Sequence, residues 1–352
     1  MSFTIPGLLE SIARGQDLDQ AQMQWAIREI MTGKWLDEQV AGFLMGLRVK
    51  GETVEEITVA AEVMRDLSQT VEIHHPNLVD TCGTGGDGAS IFNISTAVSF
   101  VVAAAGGAVA KHGNRSLSSK SGAADVLEEA GVYLDLTPAQ IASCVESLGV
   151  GFMFAPSHHS AMRFATPARK ALGIRTMFNL LGPLTNPAGV KRQLVGVFSK
   201  AWIQPVAEVL RGLGTRRAVV VCGHRDIDEF SISGSNEYAL LDNGQITQGH
   251  LRPEEMGLKR APLESLRVNS PAESLAVIRR IFKKESRDVH DPARDIVALN
   301  SGVALYVAGV VNSMPLGVEL AQDVMANGSA GEKLDMLVNT TSVYRIEREG
   351  ES

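Results

Sequence analysis

Apolar positions in the first seventy residues recur at helical intervals. Leu18, Met23, Ala26, Ile27, Ile30 and Met31 form one stripe, preceded by Asp19 and Gln20 and ended by Gly33. That spacing predicts a helix with one buried face. A second stripe over about 36–49 turns Val40, Phe43, Leu44 and Leu47 inward and stops at Gly51. A third begins at Thr53, where Thr53 and Glu56 make a capping box, and carries Ile57, Ala60, Ala61 and Met64. The three predict a small all-helical bundle over residues 1–74.

After His74-His75-Pro76-Asn77, which reads as a hinge, the pattern changes. Short apolar runs at 78–82, 107–111, 150–154, 194–198 and 217–222 alternate with helical runs at 93–105, 121–130, 137–148 and 203–213. Such alternation predicts an α/β domain with a mostly parallel sheet covered on both faces, over residues 75–352. Between 157 and 185 the helical pattern returns without strands, so residues 160–187 are candidates to fold back and complete the bundle. Short strands are expected around Ser231-Ile232-Ser233 and Tyr238-Ala239-Leu240-Leu241, the latter followed by the turn residues Asp242-Asn243-Gly244. Helices return over 271–340, and the polar tail 345–352 is expected to be loose.

Composition narrows the class. The chain has 352 residues, 45% hydrophobic and 21% charged, which is ordinary globular composition. A net charge of −7 argues against a nucleic-acid footprint but leaves small anionic ligands open. Cys82, Cys144 and Cys222 are widely spaced and fit no metal pattern, so free thiols in a reducing cytoplasm are expected. Neither a signal peptide nor an apolar run of membrane length is expected.

The chemistry gathers around Val79-Asp80-Thr81-Cys82-Gly83-Thr84-Gly85-Gly86-Asp87-Gly88, followed by Asn93-Ile94-Ser95-Thr96. A strand end, four glycines in six residues and a helix start that Asn93 or Ser95 can cap make a phosphate cradle. Glycines admit φ > 0 and close approach, successive N–H groups form a nest, and the helix N-terminus adds positive potential. Gly83-x-Gly85-x-x-Gly88 matches the dinucleotide fingerprint formally. However, four residues separate Gly88 from the helix cap, and Lys111-His112, with no acidic residue, follows the next strand. No Gly-Lys-Ser/Thr triplet makes a P-loop either.

Three further clusters lie downstream. Lys111-His112-Gly113-Asn114-Arg115-Ser116 and Ser118-Ser119-Lys120-Ser121 bring three cations and four serines to the next strand end, framed as a flap by Gly113 and Gly122. Asp226-Ile227-Asp228-Glu229 places carboxylates after the strand at 217–222, where Mg²⁺ can be held if the chain bends. Arg169 and the run Leu172-Gly173-Ile174-Arg175-Thr176-Met177-Phe178-Asn179 form the last cluster; locally Arg169 reads equally as a helix-surface arginine. His158-His159 lacks other metal-spaced ligands and reads as structural.

In this order, these motifs resemble the anthranilate phosphoribosyltransferase family over nearly the whole chain. The resemblance implies a helical domain hinged to a large α/β domain, and a homodimer through the helical part. It implies that phosphoribosyl pyrophosphate is bordered by Gly83, Gly86, Asp87, Ile91, Asn93, Ile94, Ser95, Thr96, Lys111, His112, Gly113, Asn114, Arg115, Ser116, Leu117, Ser118, Ser119 and Ala123. Ser95, Asp228 and Glu229 would hold Mg²⁺, as two ions, and Gly83, Asn114 and Arg169 would touch anthranilate. Lys111, Asn114 and Arg169 would act in catalysis. Ile91 stands where the family often has Thr or Ser, and Ala123 where Ser also occurs, so neither supplies a hydroxyl. Two other readings are carried: a pyrimidine nucleoside phosphorylase of the same fold, and a family-like protein that binds nucleic acid. The acidic pair, Asn114 with Arg169, and the net charge oppose them.

Overall fold

The computed structural model describes residues 3–351 except 87, 117–119 and 285–289. Four helices open the chain: α1 (Ile5–Ala13), α2 (Gln20–Met31), α3 (Asp37–Lys50) and α4 (Val54–Asp66). Asp19 caps α2 and Thr53 caps α4, each reciprocated by the side chain three residues on, Gln22 and Glu56. The predicted inward residues of α2, α3 and α4 are all buried.

The α/β part then runs β1 (Leu78–Gly83), α5 (Ile94–Ala104), β2 (Ala108–Gly113), α6 (Ala123–Glu129), α7 (Pro138–Leu148) and β3 (Val150–Phe154). A helical excursion follows: α8 (Ala155–His158), α9 (Thr166–Leu172) and α10 (Phe178–Leu184). The chain returns through β4 (Arg192–Gly196), α11 (Ile203–Gly212) and β5 (Arg217–Cys222), then the hairpin β6 (Asn236–Asp242) and β7 (Gln245–Leu251). It closes with α12 (Pro271–Ile281), α13 (Pro292–Ala308), α14 (Met314–Ala326) and α15 (Ser329–Glu351).

The seven strands form one sheet in the order β3-β2-β1-β4-β5-β6-β7. The first five are parallel and the last two antiparallel. The hairpin turns on Asn243 (φ 48) and Gly244 (φ 87), two left-handed residues that match the strand twist. One face packs on α5 and α13; the other meets α11 and a core shared with the N-terminal helices and with Ala168, Phe178, Leu181 and Leu184 of the excursion. The excursion thus buries its apolar residues against the N-terminal bundle.

Two local expectations are corrected. Ser231-Ile232-Ser233 is not a strand, because Asn236 takes over its backbone: the Asn236 side chain accepts from Ser231 N at 2.7 Å and donates to Ser231 O at 3.0 Å. The tail is helical rather than loose. Tyr344 donates to Ser143, and the Arg348 guanidinium pairs with Asp135 at 2.5 Å, fastening α15 to the region around α7.

Candidate active site

The chain lays down β1, β2 and β3 outward in one direction, then resumes on the other side of β1 with β4. The crevice at the carboxyl ends of β1 and β4 is therefore the topological switch point, where open α/β sheets bind ligands. Gly83 and Gly196 end these strands in register. A Cβ on Gly83 would overlap the Asp228 carboxylate, and one on Gly196 would overlap the Asp228 backbone. Two strand-end glycines thus admit the acidic segment over the switch point.

The bend that the acidic pair needs is present. Arg225 (φ 69) and Asp226 (φ 57) are left-handed, and Asn300 of α13 locks the exit by accepting from Phe230 N and donating to Phe230 O, both at 2.8 Å. Asp228 Oδ2 accepts from Gly85 N at 2.6 Å. The charge of Glu229 helps push the Cys82 thiol well above its ordinary range, behind burial and Asp80. The Asp228 carboxylate therefore lies against the end of β1, while the Glu229 backbone passes close to Gly223 beyond β5. Donors here are all oxygen, and among the described residues no three of His, Cys, Asp and Glu gather into a self-sufficient metal cage. A hard ion that keeps waters and phosphate oxygens needs one or two carboxylates, so the set fits Mg²⁺.

Asn93 occupies the N-cap of α5, but no side chain caps that helix. This corrects the capping expectation, and the reason is competition. Asn93 Oδ1 accepts from Ser121 at 2.7 Å and from Ser274 at 2.8 Å, and its Nδ2 donates to Ser121 O at 3.2 Å. Asn93 N donates to Ser274 Oγ at 3.0 Å. Asn93 is thus a clasp joining α5, the end of the flap and α12. Ile94 and Thr96 bury their side chains, so only their backbones can face a ligand.

Lys111 is buried at the end of β2, donating to Thr81 O at 2.6 Å and to Ser95 Oγ at 3.1 Å. It joins β1, β2 and the first turn of α5. Beneath it lies Asp80, pushed up by burial and partly restrained by the lysine's charge. His112 is buried, its N–H accepted by Asp80 and its Nδ1 within 3.2 Å of Gly182 O. Its ring meets that of His159 at 5.0 Å. Burial, and then the neighbouring imidazoles, lower the His112 pKa to about 3. His158 and His159 each bond a backbone carbonyl, of Gln69 and Thr185.

The other sequence candidates have partners of their own. Arg115 pairs with Glu128 and lies over Phe154 at 5.1 Å, so its guanidinium is turned toward α6. Asn114 Oδ1 accepts from Arg115 N at 2.7 Å. The N–H groups of Ser116 and Gly122 both donate to Asp125. Gly113 lies beside Phe152 and Ala123. Ile91 forms an isolated bridge with Arg267 and packs on the large core. Arg169 is half-buried on α9 with its guanidinium 5.4 Å from the Phe178 ring. Burial lowers its pKa, and it forms no ion pair among the described residues. Asp87, Leu117, Ser118 and Ser119 lie outside the described residues.

Three contributors escaped sequence reasoning. Ser274 and Asn300 are buried residues of distant helices, and nothing local marks them as parts of this site. Arg175 lay inside a run already singled out, but its contact with Gly86 O depends on the fold.

The same architecture occurs in known proteins. The "Glycosyl transferase family, helical bundle domain" profile matches residues 6–68, and the "Glycosyl transferase family, a/b domain" profile matches residues 75–331. The anthranilate phosphoribosyltransferase of Azotobacter vinelandii is 51% identical, covering 97% of this chain and 98% of its own. The crystal structure of the Thermus thermophilus enzyme of that name superposes with a TM-score of 0.89 at 41% identity, covering 95% of this chain and 99% of the other. The Saccharomyces cerevisiae enzyme, solved in complex with PRPP and Mg, gives 0.88 at 25% identity, covering 96% and 98%. The chain belongs to the anthranilate phosphoribosyltransferase family.

Proposed function

We propose that this chain transfers the phosphoribosyl group of 5-phospho-α-D-ribose 1-diphosphate to the amine of anthranilate. The products are N-(5-phosphoribosyl)anthranilate and pyrophosphate, in L-tryptophan biosynthesis. The observation that carries the reading is the meeting of the glycine loop, Lys111, Ser95 and Asp228 around the end of β1.

The donor's phosphates are taken by backbone N–H groups of the 83–88 loop and of the first turn of α5, which no side chain caps. Gly83, Gly86, Asp87, Ile91, the 93–96 turn, the 111–119 flap and Ala123 border this ligand. Ser95, Asp228 and Glu229 hold Mg²⁺, as two ions. When bound, the metal neutralises charge on the leaving diphosphate oxygens. Lys111 adds a fixed cation on the same side, already desolvated and oriented by Thr81 and Ser95. Charge separation between the leaving diphosphate and the oxocarbenium-like carbon is the barrier, so the aniline amine needs no strong base.

Arg169 pairs with the acceptor's carboxylate. Its guanidinium is half-buried and stacked, which makes a planar anion a favourable partner. Gly83 and Asn114 complete the acceptor contacts. Orienting the amine for in-line attack is an entropic contribution. The chain acts as a cytoplasmic homodimer through its helical domain, supported by exposed Leu36, Met45 and Val49 along α3 and by three free cysteines.

The test is a fluorescence assay of anthranilate consumption with the phosphoribosyl donor and Mg²⁺, paired with pyrophosphate release. One pyrophosphate per anthranilate consumed is expected. Absence of consumption, or consumption without the donor, rejects the reading.

A further inference from the structure

We infer that Arg175 is a positioning residue for the diphosphate cradle: it fixes the Gly86 peptide from the acceptor side of the crevice. The inference deepens the transfer reading above and rests on it.

Gly85 (φ 68) and Gly86 (φ 75) are consecutive left-handed residues. A loop built from such residues can turn its N–H groups toward an anion, provided its peptide planes are held. Two opposite charges hold them here. Asp228 accepts from Gly85 N, and the Arg175 guanidinium donates to Gly86 O. The Asp228 contact involves a residue assigned to metal, so that hold is exchanged as the site fills. Arg175 has no such second duty.

The arginine is itself fixed. Its guanidinium lies 4.2 Å from the centroid of the Phe198 ring. Phe198 N donates to Thr84 Oγ1 at 3.1 Å, and Thr84 N donates to Gly196 O at 3.0 Å. Arg175, Phe198, Thr84 and Gly86 therefore close a ring of contacts around the glycine loop. No ion pair engages Arg175 among the described residues, so its charge acts on a carbonyl and a ring. Arg175 sits in the short connection between α9, which carries Arg169, and α10, which begins with Phe178. The acceptor half thus supplies the outer brace of the donor half.

Arg175 is exposed, so its replacement leaves the core untouched. The experiment compares wild type, Arg175→Gln and Arg175→Lys as full chains with Mg²⁺. It reads steady-state KM for each substrate and calorimetric binding of inorganic pyrophosphate. Arg175→Gln is expected to raise donor KM and weaken pyrophosphate by about tenfold, the scale of one charge-assisted hydrogen bond, while changing anthranilate KM less than about twofold. Arg175→Lys, which keeps a charged donor but loses the planar stack, is expected to fall between. Unchanged donor KM and pyrophosphate affinity overturn the inference. So does an equal rise in both KM values, which would mean general loosening, or a fall in donor KM, which would mark a contact the substrate must break. A wild type that binds pyrophosphate but never consumes anthranilate would reject the transfer reading instead, and the pyrophosphate titrations would still judge Arg175.

Discussion

The two halves of the crevice hold their polar groups in different ways. On the donor side the anchoring groups are already bonded within the chain: Lys111 to Thr81 and Ser95, Asn93 to Ser121 and Ser274, Asp228 to Gly85. On the acceptor side Arg169 meets a ring and, among the described residues, no anion. The donor half is a preorganised cradle in which a ligand exchanges partners with existing bonds. In the proposed reading the acceptor half offers the half-buried Arg169 guanidinium, which the carboxylate of an aromatic acid can pair with. Substitutions on the donor side should therefore act on binding of the diphosphate and on its departure, and those on the acceptor side on recognition of the second substrate.

The largest expected break in that contrast is the Asp228→Ala, Glu229→Ala pair. Removing one transition-state stabiliser costs about 10²–10³-fold in turnover, so the pair is expected to lose on the order of 10³-fold with little change in melting temperature. Retained Mg²⁺-dependent turnover would remove the acidic pair from the donor half.

Next comes a pH effect on stability from His112. Its folded pKa, about 3, lies below the unfolded value of about 6.5. The unfolded chain binds the proton more readily, so this contribution is complete above about pH 6.5 and lost as pH falls toward 3, on the order of 5 kcal/mol. Urea midpoints from pH 7.5 to pH 4 should fall less steeply in His112→Gln than in wild type. Parallel slopes would place the buried imidazole elsewhere in the energetics.

Arg169→Ala is expected to raise the anthranilate KM by about tenfold to a hundredfold, as for a lost hydrogen bond to a charged group, with donor KM little changed. A defect confined to the donor would reverse its assignment. Ser274→Ala should cost about 1–2 kcal/mol of stability and raise donor KM severalfold, because Asn93 loses a buried partner. An unaltered donor KM would reduce the clasp to packing. Smallest is Ile91→Thr, at most about 1 kcal/mol in donor affinity, since Ile91 packs on the core beside its bridge to Arg267.

Much of the architecture was legible because it is written in local patterns. The inward residues of α2–α4, the Thr53–Glu56 box and the strand starts at 78, 150 and 217 all follow from spacing and capping. The grouping of glycine loop, flap and acidic pair was legible as chemistry on successive strand ends. What was not legible depends on strand order. That β4 returns beside β1, so that Gly83 and Gly196 together admit Asp228, appears in no window of sequence. Ser274 reaches Asn93 across 181 positions, and Arg175 reaches Gly86 across 89. The Asn93 side chain looked like a cap because caps are local; two distant serines outcompeted the backbone for it. Arg115 was legible as a cation of the flap, but its ion pair with Glu128 of α6 was not.

The central claim is that one diphosphate is gripped at the β1/β4 switch point by several elements at once. Calorimetric titration of the phosphoribosyl donor with Mg²⁺ into wild type, Lys111→Ala, Ser95→Ala and Asp228→Ala tests it most directly. The account predicts one binding event per chain in wild type, weakened by each substitution. Full-strength binding in any one of the three variants, with loss in the others, would contradict it.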